Sequence, residues 1–434
     1  MTDMPLADRI VAVLDALGIA RAHIATQLPG DIADLVEQHP DRLCGVALVA
    51  PSRCNPARFR HLGGRLLFIA PEGGTLSNTA ARALPQLPDA KSVRLDGYAA
   101  ESWDDIAVER PDLTTILAGF FATIPAADTA DGPAQSGEAA GIRYRAMGSG
   151  PVLVVTPMAL APSQWEPLLP ALAQHFRVVA LAGPKLGMLA LLEERAALAD
   201  WRRMCQSHFD DLALKPGHKV LDVGCGSGAV ALQFVRHTGG ANPLTAIDLS
   251  PYLLGEAKIA AEKAGADIAF ELASAESLPF PDDHFDAAYT ITVLEECDAA
   301  KALAELRRVV RPGGRVAVIV RGVDLTAWWN MPVPDDLRPK FAMPASSVSA
   351  HGVASAALYD MGLAAGFTPV RMGPYTVASE RTDGPVFGQP EAHALSLLSP
   401  AEQQVYQEAR AKALAAGTLF MTRGHHCFVG QVPE

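Results

Sequence analysis

Two α/β units, each built on a mostly parallel sheet, are what this sequence predicts. Short aliphatic runs alternate with helix-compatible segments through much of the chain, the pattern of strand–helix–strand crossovers. A length of 434 residues favours two domains over one. The stretch Val220-Leu221-Asp222-Val223-Gly224-Cys225-Gly226-Ser227-Gly228 reads as a buried strand running through an acidic residue into a glycine-rich turn, with a helix-compatible segment at 229–237 directly after it.

The N-terminal elements come in the same alternating order. Residues 7–18 carry Ile10, Val11, Val13, Leu14 and Leu17 at helical spacing. His23-Ile24-Ala25 is strand-like, 30–39 helical, and Val46-Ala47-Leu48-Val49 the next strand. Leu66-Leu67-Phe68-Ile69 is another buried strand, 77–87 helix-like, Ser92-Val93-Arg94-Leu95 a strand and 111–124 a helix. Residues 126–140, rich in Ala, Gly, Asp and Ser, read as a linker.

This region resembles an α/β-hydrolase cut into two parts. Residues 14–23, Leu14-Asp15-Ala16-Leu17-Gly18 onward, are similar to the helix and strand that lead into that family's nucleophile elbow. His39-Pro40-Asp41-Arg42-Leu43 through Pro51 resembles the segment after the elbow, and Glu109-Arg110-Pro111-Asp112 the start of the last helix. Residues 141–155 resemble the family's beginning, and Ser163-Gln164-Trp165 with Phe176-Arg177-Val178-Val179-Ala180 its next helix and strand. The second half therefore precedes the first. The expectation is a degenerate, circularly permuted domain at 1–187, with halves 1–125 and 141–187; the rival is two remnants completed by another subunit. The resemblance places Thr26-Gln27-Leu28-Pro29-Gly30 at the elbow, with Leu28 where a serine nucleophile belongs. The acid loop is Pro71-Glu72-Gly73-Gly74, residues 90–110 hold no histidine, and the oxyanion loop is Thr156-Pro157, whose proline has no N–H. The domain is expected to serve as scaffold, lid or association surface.

At 224–228 glycines let the backbone approach a ligand closely, and the helix after them presents unpaired N–H groups. A nucleotide-like cofactor is the first expectation. Gly224-x-Gly226-x-x-Ala229, with Asp248 downstream, also fits the looser nicotinamide or flavin fingerprint. Asp222 on the strand suits a cofactor with positive charge near the turn better than a pyrophosphate. Here the chain resembles the class I S-adenosylmethionine-dependent methyltransferases, and this resemblance covers 188–434.

Leu244-Thr245-Ala246-Ile247-Asp248-Leu249-Ser250 is similar to the second strand of that Rossmann-like fold, with Asp248 placed for the ribose hydroxyls. Ala273-Ser274-Ala275-Glu276-Ser277-Leu278-Pro279-Phe280 resembles the third motif, Ser274 standing where an Asp receives the adenine amino group. Residues 285–296 resemble the fourth strand and its turn, 309–320 the Pro-Gly-Gly turn and fifth strand, and 367–378 and 417–432 the closing strands. The motif style is similar to the ubiquinone/menaquinone and natural-product branch. The resemblance implies cofactor contacts from Asp222, Gly224, Cys225, Gly226, Gly228, Asp248, Leu249, Ser274, Ala275 and Thr290.

Acceptor chemistry is less legible. Glu295 and Glu296 are the nearest acids after strand four; each is a candidate base or a solvated helix start. An insertion from Arg321 to about 352 carries Trp328, Trp329 and Met331, which either wall an apolar acceptor pocket or fill a packing contact. His425-His426-Cys427 offers at most two ligands on one strand face, too few for zinc, so no metal is expected. Trp201, Arg202 and Arg203 lie on a helix able to cover the cofactor.

The formal charge of -12 and 19% charged residues disfavour nucleic-acid binding. Six scattered cysteines without C-x-x-C spacing read as reduced thiols, and no leader or apolar run of spanning length is present, so a soluble cytoplasmic protein is expected. The expected activity is methyl transfer from S-adenosylmethionine to a small-molecule O, S, N or C nucleophile. A homo-oligomer stays open. The alternatives are a protein that binds S-adenosylmethionine structurally with little turnover, and a nicotinamide-dependent oxidoreductase, which Asp222 disfavours.

Overall fold

The computed structural model describes every residue except 1–3, 75, 101–104, 125–127, 184–185, 342–347, 381 and 383. The chain divides into two compact units, Met1–Ala190 and Leu191–Glu434.

The first unit carries β1 (Ala22–Thr26), β2 (Leu43–Val49), β3 (Leu66–Gly73), β4 (Lys91–Ala99), β5 (Thr129–Ala130), β6 (Gln135–Ala139), β7 (Ile142–Met147), β8 (Gly150–Val155) and β9 (Arg177–Ala182). The sheet runs β4-β3-β2-β1-β8-β9-β7-β6, with β5 added against β8. β1 and β8 pair in parallel, so segments on both sides of 126–140 share one sheet within one chain. β7 is antiparallel to both of its neighbours. β1 and β2 are buried along their whole length, as central strands covered on both faces must be. Their side chains alternate between two cores: Ile24, Val46 and Phe68 on one face, Ala25, Ala47 and Ile69 on the other.

The reading of 126–140 as a linker is corrected here, because β5 and β6 lie inside it; residues 126–127 fall outside the described residues. β6 is an edge strand with mostly exposed side chains, held by main-chain pairing to β7. Such a strand has no apolar pattern to read.

The second unit carries β10 (Val220–Val223), β11 (Leu244–Asp248), β12 (Ala269–Leu272), β13 (Phe285–Ile291), β14 (Val310–Arg321), β15 (Trp328–Trp329), β16 (Thr368–Ser379) and β17 (Met421–Gln431). Strands β12-β11-β10-β13-β14 are parallel neighbours in that order, and β17 joins β14 antiparallel. β16 pairs antiparallel with β17. The chain leaves β10 for β11 on one side and returns later to β13 on the other. A crevice therefore opens at the C-terminal end of β10, where ligands of such sheets bind.

Two helices between β16 and β17, Pro385–Ser396 and Pro400–Ala415, had no counterpart among the elements expected from sequence. The second begins with a capping box in which Ser399 and Glu402 bond each other's backbone N–H. With Trp329 and Met331 they build a separate apolar cluster around Phe387 and Tyr406.

Candidate active site

The glycine turn is shaped by left-handed backbone. Gly224, Gly226 and Gly228 have φ of +76°, +55° and +74°, values that an L side chain adopts at a cost. A Cβ on Gly228 would lie 3.0 Å from Ala257 Cβ, and one on Gly224 would collide with Val293. The Asp248 carboxylate, at the end of β11, accepts the Gly226 N–H at 2.8 Å and the Ser250 N–H at 2.9 Å. Its burial raises its pKa, and those backbone donors oppose the shift. Leu249 beside it is 72% exposed over the crevice end of the strand, a large apolar surface that one face of a planar ring system would cover.

Asp222 points away from Leu221 and Val223, into the face containing Trp201, Cys205 and Tyr289. The Tyr289 hydroxyl donates to its Oδ2 at 3.0 Å. Burial pushes the carboxyl up to about 8, the Tyr289 hydrogen bond pulling the other way and Asp248 adding to the rise. Burial thus favours the protonated form at neutral pH. A cation brought close would favour the ionised form.

Ser227 Oγ is buried in the turn with no hydrogen-bond partner among the described residues. Thr290 is buried and donates from Oγ1 to the Val223 carbonyl, so it braces the turn through β10. Ser274 Oγ accepts the Glu276 N–H at 3.2 Å, and Ala275 is half-buried beside it. The Cys225 side chain is buried against Ala246 and Leu254, leaving its backbone toward the turn. Thr292, just after β13, has φ +57°, a strained conformation for a β-branched residue, and its N–H donates to the Ile319 carbonyl at 2.7 Å. No sequence signal marked it.

A family model described as a methyltransferase domain matches residues 221–318, the span from β10 into β14. Residues 221–318 are a class I S-adenosylmethionine-dependent methyltransferase domain. Curated relatives of this chain include methyltransferases. The sterol 24-C-methyltransferase ERG6B of Gibberella zeae is 38% identical over 107 residues, 24% of this chain and 28% of that protein. The demethylmenaquinone methyltransferase of Thermus thermophilus is 38% identical over 138 residues, 31% of this chain and 60% of that one. The chain thus spans between about a quarter and three-fifths of the length of these relatives. Among solved structures, the geranyl diphosphate C-methyltransferase of Streptomyces coelicolor matches with a TM-score of 0.35 at 17% identity, over 55% of this chain and 83% of that chain.

The residues of the methyltransferase domain fit S-adenosylmethionine. The left-handed glycine turn admits close approach, the orphaned Ser227 hydroxyl calls for a polar partner, and the Asp222 carboxyl is placed to be ionised by a nearby cation.

Beside this turn the second unit has a small, open-mouthed cavity of about 50 Å³ at the ends of β14 and β17. It is lined by Arg195, Trp201, Arg321, Arg423 and His425 together with apolar side chains such as Leu325 and Met421. Leu192 lies 3.3 Å from where a Gly226 Cβ would stand, on the helix Gly187–Ala197 that also bears Arg195. Three residues apart, these two side chains share a helix face, which sets the cavity next to the glycine turn.

Glu295 is fully buried, not a solvated helix start. Its Oε1 accepts the Arg321 backbone N–H at 2.6 Å and lies 3.5 Å from the guanidinium, while Oε2 has no partner among the described residues. Burial raises it to about 7 against the pull of Arg321. Glu296 is partly exposed and pairs with the same guanidinium at 3.1 Å. Trp328 is 48% exposed beneath Arg338, and Trp329 and Met331 are buried in the cluster around Phe387. None of the three lines this cavity; packing against helices unseen in the sequence consumes the two buried ones. Arg202 and Arg203 are exposed, Arg203 pairing with Asp200, whereas Trp201 is buried.

His426 faces away from His425: it bonds Tyr359 and, at 2.8 Å, Asp324. Among the described residues, no group of three or more His, Cys, Asp or Glu is placed to hold a metal ion. No described helix is long and apolar enough to cross a membrane.

Proposed function

We propose that this protein transfers a methyl group from S-adenosylmethionine to a small-molecule acceptor. The observation that carries the reading is the left-handed glycine turn braced by Asp248 at the switch point of the sheet, inside the span matched by the methyltransferase family model. S-adenosylmethionine supplies an activated methyl group on a sulfonium. Asp222, Asp248 and the turn from Gly224 to Gly228 hold it, with Cys225 and Thr290 contributing through backbone and bracing. Leu249, Ser274 and Ala275 bound the adenine end.

The chain's own work is placement and exclusion of water. Leu192, on the helix Gly187–Ala197, stands against the turn, and the adjoining cavity receives the acceptor. Glu295, raised to about 7 and touching Arg321, is the candidate base, its buried carboxylate reaching an acceptor hydroxyl or thiol only once the wall between it and the cavity opens. Glu296 sets the Arg321 guanidinium.

We assign 188–434 to methyl transfer and 1–187 to a circularly permuted hydrolase-like scaffold. Support for the permutation comes from the strand order, in which β6 to β9 precede β1 to β4 spatially although they come later in sequence. A catalytic role for that unit is disfavoured by its elbow: Leu28 has φ −114°, without the strained turn of a nucleophile. Gln27 there accepts the Ala159 N–H at 2.9 Å, and Thr156 donates to Thr26 at 2.7 Å, closing the site with internal bonds. A cytoplasmic location suits six free thiols.

A second reading, a binder with little turnover, draws on Ser274 in place of a charged adenine contact. Calorimetric titration with S-adenosylhomocysteine and with NAD, followed by labelled-methyl transfer into phenols, thiols, amines and quinols, tests both. Binding of NAD without S-adenosylhomocysteine refutes the proposal; cofactor binding with no transfer across the panel leaves the binder.

A further inference from the structure

We propose that the cavity lined by Arg195, Arg321 and Arg423 is an acceptor subsite for a monoanionic head group, a carboxylate on an apolar body. The inference rests on the methyltransferase reading and deepens it by naming the acceptor's charge class.

Three guanidiniums share one small cavity in a chain whose formal charge is -12. A low-dielectric cleft lined by one sign of charge concentrates counter-ions of the other. Among the described residues, Glu295 and Glu296 are both directed at Arg321. Arg195 lies 4.4 Å over the Trp201 ring, which fixes its guanidinium plane. Arg423 donates to the Val386 carbonyl at 3.1 Å and is likewise held in place.

A second, independent observation points to a ligand. The Trp201 indole N–H is buried with no hydrogen-bond partner among the described residues, and Trp201 and His425 both line the cavity. Their rings meet edge-on with centroids 5.3 Å apart. Burial and the arginines Arg195, Arg423 and Arg321 hold His425 down to about 3 against a hydrogen bond with the Arg423 backbone, so its imidazole is neutral. An oxygen acid answers the indole N–H and the guanidiniums together. The remaining wall, including Leu198, Val323, Leu325, Val377 and Met421, is apolar and suits a hydrocarbon or aromatic body.

The cofactor has a carboxylate of its own, so the test separates the two sources. Cinnamate, the neutral isostere cinnamamide and the dianion phenyl phosphate are titrated calorimetrically into the full chain saturated with S-adenosylhomocysteine. The expected result is cinnamate at least tenfold tighter than cinnamamide and tighter than phenyl phosphate. Trp201→Phe and Arg423→Gln should each weaken cinnamate at least fivefold, while S-adenosylhomocysteine affinity stays within twofold and reports an intact fold. Arg423→Lys should recover part of the loss. Equal binding of acid and amide, no binding of cinnamate, stronger binding of phenyl phosphate, or loss of cinnamate binding on saturation with S-adenosylhomocysteine overturns the assignment. Failure of S-adenosylhomocysteine itself to bind overturns instead the methyltransferase reading beneath it.

Discussion

Replacing Asp222 with Asn should flatten the pH dependence of stability in the second unit. The folded carboxyl rises from an ordinary 3.8 to about 8 because it is buried. Between those values the folded state keeps a proton that the unfolded chain has released. Stability is therefore full below about pH 4, falls as the pH rises, and levels off above about pH 8. Each pH unit is worth ~1.4 kcal/mol, so this one group removes on the order of 4 kcal/mol between pH 5 and 8. Asp31 and Glu295, raised to about 6 and about 7, add slopes of the same sign. Those contributions are common to both proteins and cancel on subtraction. Hydrogen exchange of the β10 amides, measured by mass spectrometry at pH 5, 6, 7 and 8 with correction for intrinsic rates, reads this unit locally. The difference in opening free energy between Asp222→Asn and wild type should grow steadily in favour of the variant. Parallel curves would refute the burial argument.

Tyr289→Phe leaves Asp222 Oδ2 without its donor and should destabilise the unit by roughly 1–3 kcal/mol in urea unfolding. It should also push Asp222 further up, because that hydrogen bond favours the charged form. Gly228→Ala forces an alanine to φ +74° with its Cβ 3.0 Å from Ala257, so S-adenosylhomocysteine affinity should fall at least tenfold in calorimetry, with a strain cost of about 1–2 kcal/mol. Glu295→Gln should abolish a limb near pH 7 in the methyl-transfer rate profile if Glu295 takes the proton; an unchanged profile removes it as base. Leu28→Ser should yield no hydrolysis of p-nitrophenyl acetate above background, since its backbone lacks the strained elbow and Gln27 occupies the neighbouring amide.

The cofactor end of the site was legible because its residues are consecutive. A strand, an acid and three glycines at 220–228 occupy one local stretch, and Asp248 closes the next strand. The proposed acceptor end was not, because Arg195, Arg321 and Arg423 meet only through the sheet. Arg321 and Arg423 sit near the ends of antiparallel neighbours, and Arg195 reaches them from a helix more than a hundred residues earlier. Trp328, Trp329 and Met331 drew attention by composition, yet the residues that decide their surroundings, Phe387 and Tyr406, lie on helices whose weakly amphipathic pattern gave little signal. Glu295 was visible as an acid after strand four; its complete burial was not, since the Arg321 backbone N–H that donates to it comes from β14. In the first unit the lack of a serine in the proposed hydrolase-like elbow was plain at Leu28, whereas β6 escaped notice because an edge strand is held by main-chain bonds.

The position of β17 has a consequence for synthesis. It completes the sheet between β14 and β16, yet about 100 residues separate Arg321 from Met421. A ribosome adding roughly 5–20 residues per second needs about 5–20 s to cover that distance. Throughout that time the Val316-Ala317-Val318-Ile319-Val320 edge of β14 has no strand beside it. It is apolar, β-branched and uncharged, the composition most prone to pairing with another copy of itself. Yield of this protein in a host should thus depend less on the finished fold than on how β14 is sheltered until β17 emerges.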